Sequence, residues 1–169
     1  AGFLSDFSSG KIVNIQFKNS YISSYVDNVG VVAGKLSGSA EMLGVNIENA
    51  SLKTSSFAGG LVGIYEGGRI ENCRVSNALI DGVGGAFVGN FQASGSNIRN
   101  SYALDCLLNA KVLTSLCGNG NFIATSCFVL NGESFNKSSV KASSWTNRDE
   151  SGYKSYLGEE NFYNSWVYS

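Results

Sequence analysis

The sequence predicts an all-β chain: a right-handed parallel β-helix of about five coils of 26–30 residues, followed by an aromatic-rich C-terminal cap or extension. Three observations carry that prediction. A short phrase built around an Asn returns five times, at Asn19, Asn49, Asn77, Asp105 and, degraded, Asn131, with spacings of 30, 28, 28 and 26 residues. A second column, Gly34, Gly63, Gly89 and Gly118, closes an apolar pair each time and drifts with the first, at spacings of 29, 26 and 29. Between the columns, apolar residues alternate with period two, the mark of a strand with one buried face. Handedness follows from the crossover rule for parallel strands.

Each coil reads as roughly three short strands. Four and two residues before each Asn stand Ile15 and Phe17, Val45 and Ile47, Cys73 and Val75, Ser101 and Ala103, Cys127 and Val129. These are expected to point inward, whereas Gln16, Asn46 and Arg74 between them are expected to stay out. After the Asn, small Ser20, Ala50, Ala78 and Cys106 precede inward Ile22, Leu52, Ile80 and Leu108. Turns fall on Ser8-Ser9-Gly10, Ser37-Gly38-Ser39, Glu66-Gly67-Gly68, Ser94-Gly95-Ser96 and Gly118-Asn119-Gly120, residues that supply positive φ or local side-chain hydrogen bonds. A polar corner column, Asn14, Gly44, Asn72, Asn100 and Ser126, suits left-handed backbone and stacked amide ladders. Five coils at the parallel-strand spacing make a rod about 24 Å long. Residues 1–136 carry the repeats. Residues 137–169 lack them but hold Trp145, Tyr153, Tyr156, Phe162, Tyr163, Trp166 and Tyr168, and read as a cap or the start of the next domain.

Composition narrows the function. The chain has 169 residues, net charge -1, 15% charged residues, no Pro and no His. Nothing in that balance marks a nucleic-acid or anionic-membrane surface, and no apolar run reaches the ~20 residues of a membrane span. The missing His removes the commonest general base and metal ligand together. The opening Ala1-Gly2-Phe3-Leu4 lies inside a repeat and reads as the start of a fragment or processed piece, or of a short mature form without its leader.

Phe57-Ala58-Gly59-Gly60-Leu61-Val62-Gly63, followed by Gly68-Arg69-Ile70-Glu71-Asn72-Cys73, resembles the GLUG motif. Looser copies are Ala86-Phe87-Val88-Gly89 with Ile98-Arg99-Asn100-Ser101, and Val31-Val32-Ala33-Gly34; Phe3-Leu4-Ser5-Asp6 in the first coil lacks both glycines. The resemblance spans about residues 1–136. It implies tandem repeats of a bacterial secreted or surface protein, such as filamentous-haemagglutinin-like adhesins or the amino-terminal region of IgA-cleaving zinc peptidases. It implies scaffold rather than activity.

Polysaccharide-cleaving β-helices need convergent carboxylates, often with Lys, Arg or calcium. Here Asp6, Asp27, Glu41, Glu48, Glu66, Glu71, Asp81, Asp105 and Glu133 are scattered, and no two share an outward column on adjacent coils. Zinc-peptidase chemistry requires His-Glu-x-x-His, which a chain without His cannot supply. Cys73 and Cys127 share an inward column two coils apart, too far to bridge; all four cysteines read as buried hydrophobes, with a Cys106–Cys117 bridge left open. No cofactor and no metal are expected. Asn49-Ala50-Ser51 and Asn136-Lys137-Ser138 fit the glycosylation pattern, which arises often by chance.

The expected function is a non-enzymatic scaffold or adhesive segment, secreted or on the bacterial cell surface. The alternatives are an accessory β-helix of a larger secreted enzyme of the IgA-peptidase kind and a carbohydrate-active β-helix. Partners are expected among host proteins, glycans or other domains of the parent protein. The candidate binding surface is an outward strip of Arg74, Tyr102 and Phe128 in one column and Leu79 and Leu107 in the next, with coils 1 and 2 polar at Gln16, Asn46 and Ser51. The tail, through Trp145 or Trp166, is the expected cover for that strip.

Overall fold

The computed structural model describes residues 1–95, 97–112, 116–120, 122, 124–131 and 134–135. Among these every regular element is a β-strand, and the strands stack in parallel as a β-solenoid. One face stacks Leu4–Phe7, Ala33–Leu36, Val62–Tyr65, Val88–Phe91 and Cys117–Asn119. The next stacks Lys11–Val13, Glu41–Leu43 and Arg69–Glu71 beneath the start of Ile98–Leu104. The chain then turns at an Asn corner into Gln16–Ser24, Asn46–Gly59, Arg74–Gly85 and the rest of Ile98–Leu104, with Ala124–Asn131 outermost.

The repeat alignment read from the sequence is the Cα pairing of the structure. Phe17, Ile47, Val75, Ala103 and Val129 pair rung upon rung, five deep, so the described chain makes about four full coil-to-coil steps. The two polar corners hold left-handed backbone: Asn14, Asn72 and Asn100 at φ 52, 54 and 47 beside Gly44 at 66, and Asn19, Asn49, Asn77 and Asp105 at 53, 56, 52 and 50. Asn tolerates that conformation better than other side chains because its short amide hydrogen-bonds locally. One amide also reaches the neighbouring coil, where Asn49 Nδ2 donates to Asn19 Oδ1 at 3.3 Å.

The glycine column answers a different need. Gly63, Gly89 and Gly118 lie where two sheets meet edge to edge with no room for side chains. A Cβ at Gly63 would sit 2.6 Å from the Val29 nitrogen, and one at Gly118 would sit 2.3 Å from the Gly84 carbonyl carbon. Gly59, which ends the Asn46–Gly59 strand, and Gly60 just after it close the same narrow edge. The Gly-Gly-Leu-Val-Gly run is therefore the sharp edge of the coil, where backbone packs on backbone.

Inside, Val45, Ile47, Val75, Ala103 and Val129 are fully buried, as expected. Ile15 is not: at 41% exposed it belongs to the first rung, which has a coil on one side only. Phe17 on that rung is half-buried and meets Phe3 edge-on, ring centroids 5.6 Å apart. A second core column runs along the first face. Phe7, Leu36, Tyr65 and Phe91 pair in register, and the Tyr65 and Phe91 rings stack at 4.9 Å with their planes 12° apart. Tyr65 donates its hydroxyl to the Gly68 carbonyl at 2.7 Å and accepts from the Asn97 amide at 3.2 Å, which satisfies its polar end in the core.

The parallel pattern breaks toward the C-terminal end. Leu107–Leu108 pairs antiparallel with Lys111–Val112 through Asn109-Ala110, and Ala124–Asn131 pairs antiparallel with Ser134–Phe135. The first hairpin has two turn residues, both at positive φ (48 and 60), the combination whose twist matches antiparallel strands. Asn109 uses its amide as if it were a further strand residue. It accepts from the Gly82 nitrogen and donates to the Gly82 oxygen, each at 3.0 Å. The assignment of residues 137–169 to a cap, with Trp145 and Trp166 covering the strip, falls outside the described residues.

Cys73, Cys106, Cys117 and Cys127 are all free thiols, which settles the Cys106–Cys117 pair as unbridged. Ser101 stands between the two inward cysteines. It pairs with Cys127, and its hydroxyl accepts from the Cys73 nitrogen at 3.0 Å. Burial away from water pushes the Cys73 and Cys127 thiols up to about 12 and Cys106 to about 11. Four thiols should therefore titrate in unfolded protein without reductant, and none quickly in native protein. The unfolded chain releases thiol protons from about pH 9, while the folded chain keeps that of Cys106 to about pH 11 and those of Cys73 and Cys127 to about pH 12. Stability should accordingly fall as pH rises through that window. Fast native labelling at neutral pH, or fewer than four thiols after unfolding, contradicts this core.

Candidate functional site

The outward surface of an inner rung offers one row of side chains per column, and the stacking places each beside its equivalents about 4.8 Å above and below. Gln16, Asn46, Arg74, Tyr102 and Phe128 form one such column in direct register. Tyr21, Ser51, Leu79 and Leu107 form the next, across the Asn77–Asp105 corner. The structure thus brings Arg74 beside Tyr102 and Leu79 beside Leu107, as the sequence pattern requires. Phe128 is placed by its backbone pairing with Tyr102, and its side chain lies outside the described residues.

Two expectations about this surface are corrected. Asn46 faces outward but is only 5% exposed, because the Arg74 side chain lies over it and donates from Nε to Asn46 Oδ1 at 2.9 Å. Its Nδ2 is left buried with no hydrogen-bond partner. The first coil is not polar throughout. Tyr21, four residues before the still more exposed Tyr25, is 72% exposed and extends the Leu79 column to the first rung. Its place was legible two residues past Asn19, where Ser51 and Leu79 occupy the equivalent positions. Leu79 is half in solvent, Leu107 is half-buried, and Val83 joins them along the same strand.

Tyr25 and Val26 form a protruding tip held from below. The Ser55 hydroxyl donates to the Tyr25 carbonyl, Thr54 Oγ1 donates to the Asp27 carbonyl at 2.7 Å, and Ser56 Oγ donates to Asn28 Oδ1 at 2.9 Å.

Charge is organised by the same stacking. Lys11 pairs with Glu41 at 3.1 Å and Arg69 with Glu41 at 3.4 Å, so one column alternates in sign over three rungs. Lys18 meets Glu48 at 3.5 Å, Lys35 meets Asp6 at 3.1 Å, and Lys53 meets Asp81 at 3.7 Å. The hydrogen bond and charge of Asp6, with Glu66 adding to them, hold the Lys35 ammonium above its usual range. Most of the described acids therefore face a cation on the neighbouring coil. Such exposed pairs contribute little each, and their chief effect is to penalise slipped registers.

A family model for the GLUG motif matches residues 54–80. The chain carries a GLUG motif, and that segment holds the Gly59–Gly63 edge and the Arg69–Cys73 turn into the third face. No curated protein and no solved structure matches the chain. Among the described residues, no helix is long and apolar enough to cross a membrane.

Proposed function

We propose that this chain is a non-catalytic β-helical scaffold and adhesive segment of a bacterial secreted or cell-surface protein. Its partners are a host protein, a glycan or other domains of its parent, and no cofactor takes part. The observation that carries the reading is the outward strip. Tyr21, Leu79 and Leu107 in one column and Tyr102 in the next hold apolar surface on a rigid sheet, while the surrounding charges are used up in pairs between coils. A surface of this kind suits contact rather than chemistry: acids held beside a stacked cation are poor candidates for a convergent acid–base pair.

The test is a screen of the protein against immobilised glycans and extracellular-matrix proteins, repeated with the Leu79→Asp, Leu107→Asp double variant. A binder lost at least tenfold in the variant, at unchanged melting temperature, supports the reading. Binding indifferent to the variant counts against the strip. New reducing ends or unsaturated products from an acidic polysaccharide would place the chain among carbohydrate-active β-helices instead. A His-Glu-x-x-His sequence downstream in the parent reading frame would make it the accessory domain of a secreted peptidase.

A further inference from the structure

Arg74 breaks the charge pattern of the solenoid. Lys11, Lys18, Lys35, Lys53 and Arg69 each meet a carboxylate on a stacked neighbour. Arg74 has Asn46 on one side and Tyr102 on the other, and among the described residues no carboxylate lies within ion-pair distance of it. Arg99 and Lys111 are also without a described acid, but both are exposed, whereas Arg74 is half-buried and fixed. Its Nε is committed to Asn46 Oδ1, which orients the guanidinium plane and leaves the two terminal nitrogens as a fork. Among the described residues those nitrogens meet no acceptor, and a planar fork of four N–H groups matches a carboxylate bidentately. The half-buried Tyr102 stands one rung away, within reach of whatever that carboxylate is attached to.

We propose that Arg74 and Tyr102 form a subsite for an acidic sugar, Arg74 taking the carboxylate and Tyr102 lying against the sugar ring. This rests on the reading of the outward strip as a binding surface and specifies its ligand. Charge favours a ligand with one isolated carboxylate over a polyanion, because the neighbouring cations Lys18 and Lys53 are already paired. Backbone pairing favours a sugar over an extended peptide. The Arg74 strand is hydrogen-bonded to coils on both sides, so no free strand edge is there for a peptide to join. A pyranose needs only side-chain donors and a ring face.

The probe is a glucuronate-containing oligosaccharide, titrated by isothermal calorimetry against its carboxyl-reduced counterpart. The acidic form should bind at least tenfold more tightly. Arg74→Gln should abolish that preference, and Arg74→Lys, which keeps the charge but not the fork, should lose most of it. Tyr102→Ala should weaken both forms alike. Unchanged melting temperatures separate these effects from misfolding, and a variant that melts early is replaced by Arg74→Met for the same comparison. The proposal is overturned by equal affinity for the two forms, by an acid preference that survives Arg74→Gln, by a carboxylate-terminated peptide that binds as well as the sugar, or by no saturable binding. If neutral glycans or proteins bind through Leu79 and Leu107 without regard to Arg74, this subsite fails while the adhesive reading stands. If neither set of variants alters any binding, both fail.

Discussion

Replacing Gly59 with alanine should prevent the solenoid from closing at its sharp edge. The added Cβ would lie 2.2 Å from the Val62 oxygen, 2.5 Å from the Phe87 oxygen and 2.7 Å from the Gly89 nitrogen. All three are backbone atoms of the same or the next coil, and each is fixed in a ladder, so no flexible side chain absorbs the overlap. The cost should exceed about 4 kcal/mol, the range reserved for changes that break a specific structural constraint. Equilibrium denaturation should show it as a large drop in midpoint or as failure to fold. Gly95→Ala is the control. A Cβ there meets nothing within 4 Å, so stability should stay within about 0.5 kcal/mol of the parent. Equal effects at the two positions would refute the close-approach account of the motif.

Truncating Ile47 to alanine should cost about 2–5 kcal/mol. Ile47 is fully buried, with Phe17 on the rung below and Val75 on the rung above. Its neighbours are held by ladders on both sides, so the cavity has little means of collapse, which favours the upper part of that range. The same truncation at Ile15 should cost clearly less, because that side chain is already 41% exposed on the first rung. Urea unfolding of the two variants gives the comparison. An Ile15 loss as large as that at Ile47 would mean that the first rung is covered in solution.

The columns were legible because a solenoid repeats one decision. Each inward position is tested four or five times along the chain, so Ile47, Val75, Ala103 and Val129 corroborate one another where a single strand would be ambiguous. Properties set by what lies next to a residue, rather than by its column, were not legible. Asn46 and Gln16 occupy the same column, yet only Asn46 has a long guanidinium folded over it. Ile15 and Val45 share a column too, and differ because one has a coil on each side. The Leu36–Tyr65–Phe91 core column is hidden in the sequence because its members differ in type, so that no shared chemistry betrays a shared position. Tyr21 is hard to see for the same reason: its equivalents Ser51 and Leu79 do not resemble it.

The two kinds of corner also differ in how they age. Between the second and third coils the offset is 28 residues at Asn46↔Arg74 and again at Lys53↔Asp81, but 26 at Ala58↔Gly84, with the shift falling between Asp81 and Val83. It is still 26 at Tyr65↔Phe91 and returns to 28 at Ile70↔Ile98, on the face just before the Asn corner. Residues have thus been lost and regained at the bend before the glycine edge and at the bend after it, while both Asn corners keep their count. The coils are built like a belt with two buckles. The coils differ in length where the ladder has already paused, and keep one count through the Asn corners. For the engineer, the bend around residues 54–57 and 82 is accordingly the place to splice in a foreign loop.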